Sequence, residues 1–95
     1  MGRRPTRGFA NEEIPDHLPP VNLGAIPVVV RLIDEEHGVH YRAAEARRWN
    51  RTHVMVALRE VHPVTGRHYD TLAWLRAEDV YRVLNVDDVR DRAPP

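Results

Sequence analysis

The chain has 95 residues and a formal charge of zero at pH 7, fourteen arginines against fourteen acids, with no lysine, serine, glutamine or cysteine. This composition excludes disulfides, thiolate metal sites and cysteine or serine nucleophiles. A neutral total also departs from the basic balance usual in nucleic-acid-binding domains.

No apolar run reaches the length of a signal-peptide core or a membrane span, so the expected setting is cytoplasmic with no membrane contact. One small domain is expected, and so short a chain buries too little surface to build a deep active site easily. A basic set made of arginine alone marks GC-rich coding and points to an actinobacterial source.

Residues 1–25 read as a flexible, proline-containing arm. Arg3, Arg4 and Arg7 lie near its start with no acid among residues 1–8, and prolines follow at 5, 15, 19 and 20. Proline lacks a donor and holds its predecessor extended, so "PDHLPPVNLGAIP" is no helix. Residues 1–10 are expected to be disordered and 11–25 to form an extended lead-in.

The core is expected over residues 26–86. "IPVVVRLID" (26–34) is β-branched and apolar, a first strand, and "DEEHG" (34–38) is a turn. The next stretch, "YRAAEARRWN" (41–50), has helical propensity but no convincing cap. Read as a strand, it completes a barrel, with Ala43, Ala44 and Ala46 allowing a tight bend. Read as a helix over 41–49, it gives a small α+β fold instead.

"HVMVALREV" (53–61) alternates: Val54, Val56 and Leu58 share one face, and His53, Met55, Ala57 and Arg59 the other. "HPVTGRH" (62–68) fits a hairpin loop, and "HYDTLAWLR" (68–76) the returning strand. Ala77 to Val80 suit one short helical turn, and "VYRVL" suits a brief last strand. Residues 87–95, charged and ending in two prolines, are expected to be a disordered tail. The fold class is therefore mainly β: a small five-stranded barrel with one short helical turn before the last strand and disordered termini.

From about 26 to 86, "PVVVRL", "RRWNRTHVMVAL", "TGRHYDTLAWL" and "RAEDVYRVL" resemble SH3-like small barrels of the Tudor and KOW type. Their cadence also resembles small actinobacterial and mobile-element proteins. The resemblance implies a binding fold. The SH3 peptide-groove segment and the KOW glycine signature are missing, so it implies no particular ligand.

Two sets of residues carry functional expectations. Arg42, Arg47, Arg48 and Arg51 can pair with phosphates, with Trp49 as a stacking platform and Arg3, Arg4 and Arg7 as further contacts. Tyr41, Trp49, Tyr69 and Tyr81 can line a protein-interaction face. His37 and His40 stand beside Asp34, Glu35 and Glu36, but no second histidine pair matches their spacing, so no metal is expected. No catalytic residue, cofactor or small-molecule substrate is expected either; Thr52 before His53 is no triad signature.

The expected role is a non-enzymatic binding module for a protein partner or for self-association. The alternative is nucleic-acid binding through the arginines. Whether Trp49 points inward or outward bears most on the choice.

Overall fold

The computed structural model describes residues 8–19 and 24–83. Arg3, Arg4, Arg7 and the C-terminal stretch 87–95 lie outside the described residues. Five antiparallel strands form one sheet: β1 (Ile26–Asp34), β2 (Gly38–Trp49), β3 (His53–Val61), β4 (His68–Arg76) and β5 (Val80–Arg82). Their spatial order is β4-β3-β2-β1-β5, and a single 3-10 turn, Ala77–Asp79, precedes β5. Among the described residues, no helix is long and apolar enough to cross a membrane.

Alternation decides the faces. Val28, Val30 and Leu32 of β1 point inward and are buried, and so are Val54, Val56 and Leu58 of β3 and Ala73 and Leu75 of β4. Each fully buried Val or Leu contributes about 1.5–3 kcal/mol of apolar transfer. Gly38 and Gly66 hold φ of 64° and 74°, in the left-handed region that suits glycine, and serve the β1–β2 and β3–β4 connections.

The helix considered for 41–49 does not form. Nine residues of β2 pair in unbroken register with β1, from Asp34↔Gly38 to Ile26↔Ala46. Helix propensities differ by less than about 1 kcal/mol per residue, and a full ladder over a shared core outweighs them. Ala44 and Ala46 face inward, where their small size lets the two strands curve around Val28 and Val56.

Two short stretches close the rolled sheet. The amide of Ala77 donates to Thr52 O at 2.7 Å, which joins the end of β4 to the start of β3. Within the stretch read as an arm, residues 10–13 lie between two strand edges. Ala10 N donates to Ile33 O of β1 at 2.6 Å, and Glu13 N donates to Trp74 O of β4 at 2.9 Å.

Asn11 locks this strap. Its amide nitrogen donates to Arg31 O at 2.8 Å and to Asp79 Oδ2 at 3.1 Å, and its oxygen accepts from Ile33 N at 3.1 Å. Asp79, buried in the 3-10 turn, also accepts from Arg31 Nη1 at 3.1 Å. A buried carboxylate is tolerable only when so paired.

Candidate functional site

A β-bulge decides the direction of Trp49. Ala46 pairs with Val56 and points inward, but the register shifts before Arg48, which pairs with Met55, and Trp49 then pairs with Val54. Strict alternation would have put Arg48 inside and Trp49 outside. The extra residue exchanges them. Trp49 is half-buried against the core, and a Cβ at Gly24 would lie 3.9 Å from its Cη2. It lines an apolar hollow of about 260 Å³ with Ile26, Val54 and Val80.

The same bulge sends Arg48 outward beside Arg47. Arg47 donates to Glu45 Oε1 through Nε at 3.0 Å and Nη2 at 2.8 Å, and lies 3.3 Å from Asp70 Oδ2. These hydrogen bonds to the Glu45 carboxylate raise its pKa above the usual arginine value. Arg48 spans the sheet surface differently. Its guanidinium lies over the Trp74 ring, 5.8 Å from the centroid, and Nη2 donates to Pro19 O. Its Nε is buried with no hydrogen-bond partner among the described residues.

Arg42 faces inward at the end of the barrel where β2 and β3 separate. It pairs with Glu60 Oε2 at 3.1 Å and donates to Arg59 O. Arg51 sits exposed in the turn before β3. Three of the four arginines read as phosphate ligands are thus engaged within the fold, and they do not form one patch.

The aromatic candidates also divide. Tyr69 lies at the open end of the barrel, in a cleft of about 1280 Å³ shared with Phe9, Thr71, Arg42 and Glu60 and rimmed by Asp34, Glu35 and Glu36. Tyr41 and Tyr81 meet on the outer surface, with ring centroids 6.3 Å apart. Tyr41 pairs with Arg31 and Tyr81 with Val29, so the two rings flank β1 on its outward side. Val39 follows on β2, opposite Ile33, and Val83 lies just beyond β5. Exposure is 53% for Val39, 58% for Tyr41, 46% for Tyr81 and 51% for Val83. Among the described residues, the charge in the middle of this face is Arg31, already held by Asp79.

The strap brings together groups that periodicity did not link. Thr52 Oγ1 lies 2.7 Å from His53 Nδ1, and His53 Nε2 lies 2.7 Å from Glu13 Oε2. This order of hydroxyl, imidazole and carboxylate is that of a catalytic relay. Here, however, Asn50 Oδ1 also accepts from Thr52 N, Thr52 Oγ1 and His53 N. The hydroxyl therefore belongs to an asparagine-closed turn, and neither hollow described above includes Thr52 or His53. Glu13, Asn11 and Asp79 had no periodic or motif signal in the sequence; their acid or amide character was the only mark they carried.

At the β1–β2 hairpin, Asp34 Oδ1 accepts the His37 amide at 2.6 Å. That bond, with the His37 and His40 imidazoles nearby, holds the Asp34 carboxyl below its usual value against some desolvation. Comparison of the chain with protein-family models, curated proteins and solved structures returns no match.

Proposed function

We propose that this chain is a non-enzymatic binding module that docks a protein surface, a partner's or a second copy's, on the outer face of β2, β1 and β5. The observation that carries the reading is the bare Tyr41–Tyr81 pair, continuous with Val39 and Val83, with the Arg31 charge between them already paired to Asp79. Contiguous exposed apolar surface with tyrosines is characteristic of protein contacts. The resemblance to SH3-like barrels supports a binding role in general terms. The same reading sets the protein in the cytoplasm, within an actinobacterial or mobile-element context.

Nucleic-acid binding is the less supported alternative, because Arg42 and Arg47 already have carboxylate partners and Arg48 lies on Trp74.

The double variant Tyr41→Ser/Tyr81→Ser separates these readings. Light scattering and capture of partners from native lysate are expected to show an association that wild type makes and the variant loses, with unchanged melting temperature. A wild-type monomer that retains nothing the variant loses would overturn the proposal. In parallel, anisotropy of a labelled single-stranded oligonucleotide is expected to show no salt-sensitive binding. Binding that falls steeply with salt, and falls again in Arg47→Glu/Arg48→Glu/Arg51→Glu, would favour nucleic acid instead.

A further inference from the structure

The tip of the β1–β2 hairpin gathers three metal-ligating side chains on one short turn. Asp34 ends β1, His37 lies in the turn and His40 is the third residue of β2. His37 Nδ1 lies 3.4 Å from Asp34 Oδ1, and His40 Nε2 lies 3.8 Å from Asp34 Oδ2. One donor atom from each of the three can be chosen so that all lie within 4.8 Å of one another. Zinc-class ions bind nitrogen and oxygen at about 2.1 Å, so tetrahedral donors stand about 3.4 Å apart. The His37 and His40 separations from the Asp34 carboxylate are already near that value, one to each of its oxygens.

A second observation concerns how His40 is held. Its Nδ1 lies 3.0 Å from Gly38 O. A carbonyl only accepts, so Nδ1 carries the hydrogen and Nε2 presents its lone pair toward Asp34. A backbone carbonyl that fixes the tautomer and ring direction is the usual outer support of a metal-bound histidine. The Phe9 ring, 6.3 Å away between centroids, further limits the His40 ring. The turn itself is stiffened by the Asp34–His37 amide bond and by Gly38.

We propose that Asp34, His37 and His40 form a three-donor site for a divalent transition metal of the zinc class, open at a fourth position. Two imidazoles and one carboxylate suit zinc, nickel, cobalt or copper better than magnesium or calcium, which favour oxygen donors. The fourth position faces water or a carboxylate of the adjoining Glu35–Glu36 pair. The sequence reading expected no metal because it sought four ligands from spacing alone. The tertiary geometry supplies three converging donors and a fixed tautomer, and three protein ligands are enough for an open site.

The test is calorimetric titration of the untagged full chain with zinc chloride at pH 7.5, with amide chemical-shift mapping. Saturable one-to-one binding is expected, with the largest shifts at residues 34–40. His37→Ala and His40→Ala are each expected to weaken it by about tenfold or more, since even loss of an outer support costs that much. Asp34→Asn keeps the oxygen that closes the turn but removes the anionic donor, so it should weaken binding while the apo spectrum stays native. His62→Ala and His68→Ala, at the other hairpin, should bind as wild type. No saturable binding, shifts centred elsewhere, or wild-type affinity in both His37→Ala and His40→Ala would overturn the proposal.

Discussion

The outer surface of this sheet has two halves that fare differently. Over β2, β3 and β4 it is covered. Met55 and Ala57 point outward yet are only 9% and 5% exposed. Arg48 and Trp74 flank Met55 in register, and the Arg48 guanidinium reaches over the Trp74 ring to Pro19, beyond the strap in the chain. Glu45, Arg47, Asp70 and Arg59 form a chain of ion pairs beside them, and of the outward apolar residues of β3 and β4 only Leu72 and, at the far end of β3, Val61 stay exposed. Over β2, β1 and β5 nothing comparable among the described residues covers Val39, Tyr41, Tyr81 and Val83. The sheet presents apolar outward residues on both halves, and the described residues cover only one. The bare half is where an external surface has most apolar area to gain.

The largest test of this contrast is paired truncation. Trp74→Ala on the covered half is expected to cost about 3 kcal/mol or more, whereas Tyr41→Ala on the bare half should cost under about 0.5 kcal/mol. Thermal unfolding of the two variants compares them directly, and equal losses would erase the distinction.

The strap's anchor comes next. Asn11→Ala removes bonds to Arg31, Ile33 and Asp79 and leaves Asp79 only its arginine partner, an expected loss of about 2 kcal/mol. Hydrogen exchange should rise at Ile33 and Glu13 while the β1–β2 ladder stays protected. A uniform rise would mean that the strap and the sheet unfold as one unit.

A smaller effect is expected at Arg48. Arg48→Met gives up the Pro19 bond and the ring contact but removes a buried, unpartnered Nε, so stability should change by less than about 1 kcal/mol. Chemical denaturation measures it; a loss above about 2 kcal/mol would mean that the guanidinium, rather than its apolar stem, holds the cover in place.

The smallest effect lies at the hairpin tip, outside both halves. The native Asp34 pKa is lowered, so the folded chain binds fewer protons there than the unfolded chain near pH 4. Its stabilisation is complete above the unfolded value of about 3.9 and is lost as pH falls through the lower native value. The difference in melting temperature between wild type and Asp34→Asn should therefore narrow between pH 5 and pH 3. A difference that stays constant would mean the aspartate contributes no pH-dependent stability.

What the sequence determined by itself was the mainly β class and much of its layout. Alternation in 53–61 and 68–76 assigned inward and outward faces correctly, and the β1, β3, β4 and helical-turn boundaries followed from β-branched runs, glycines and one acidic turn. These signals are local: each residue's face and each turn's backbone depend on its near neighbours.

What only the tertiary structure decided depended on partners distant in sequence. Residues 41–49 became a strand because β1 offered a ladder, against their own propensity. Trp49 turned inward because a single extra residue after Ala46 shifted the register with β3, a change no periodicity count contains. Asn11 and Glu13 acquired roles because the rolled sheet brought β1 and β4 to either side of them. The bare tyrosine face arose in the same way, since strand pairing sets which side chains share a surface; the Asp34–His37–His40 cluster is local to one turn, and only its donor geometry needed the folded hairpin.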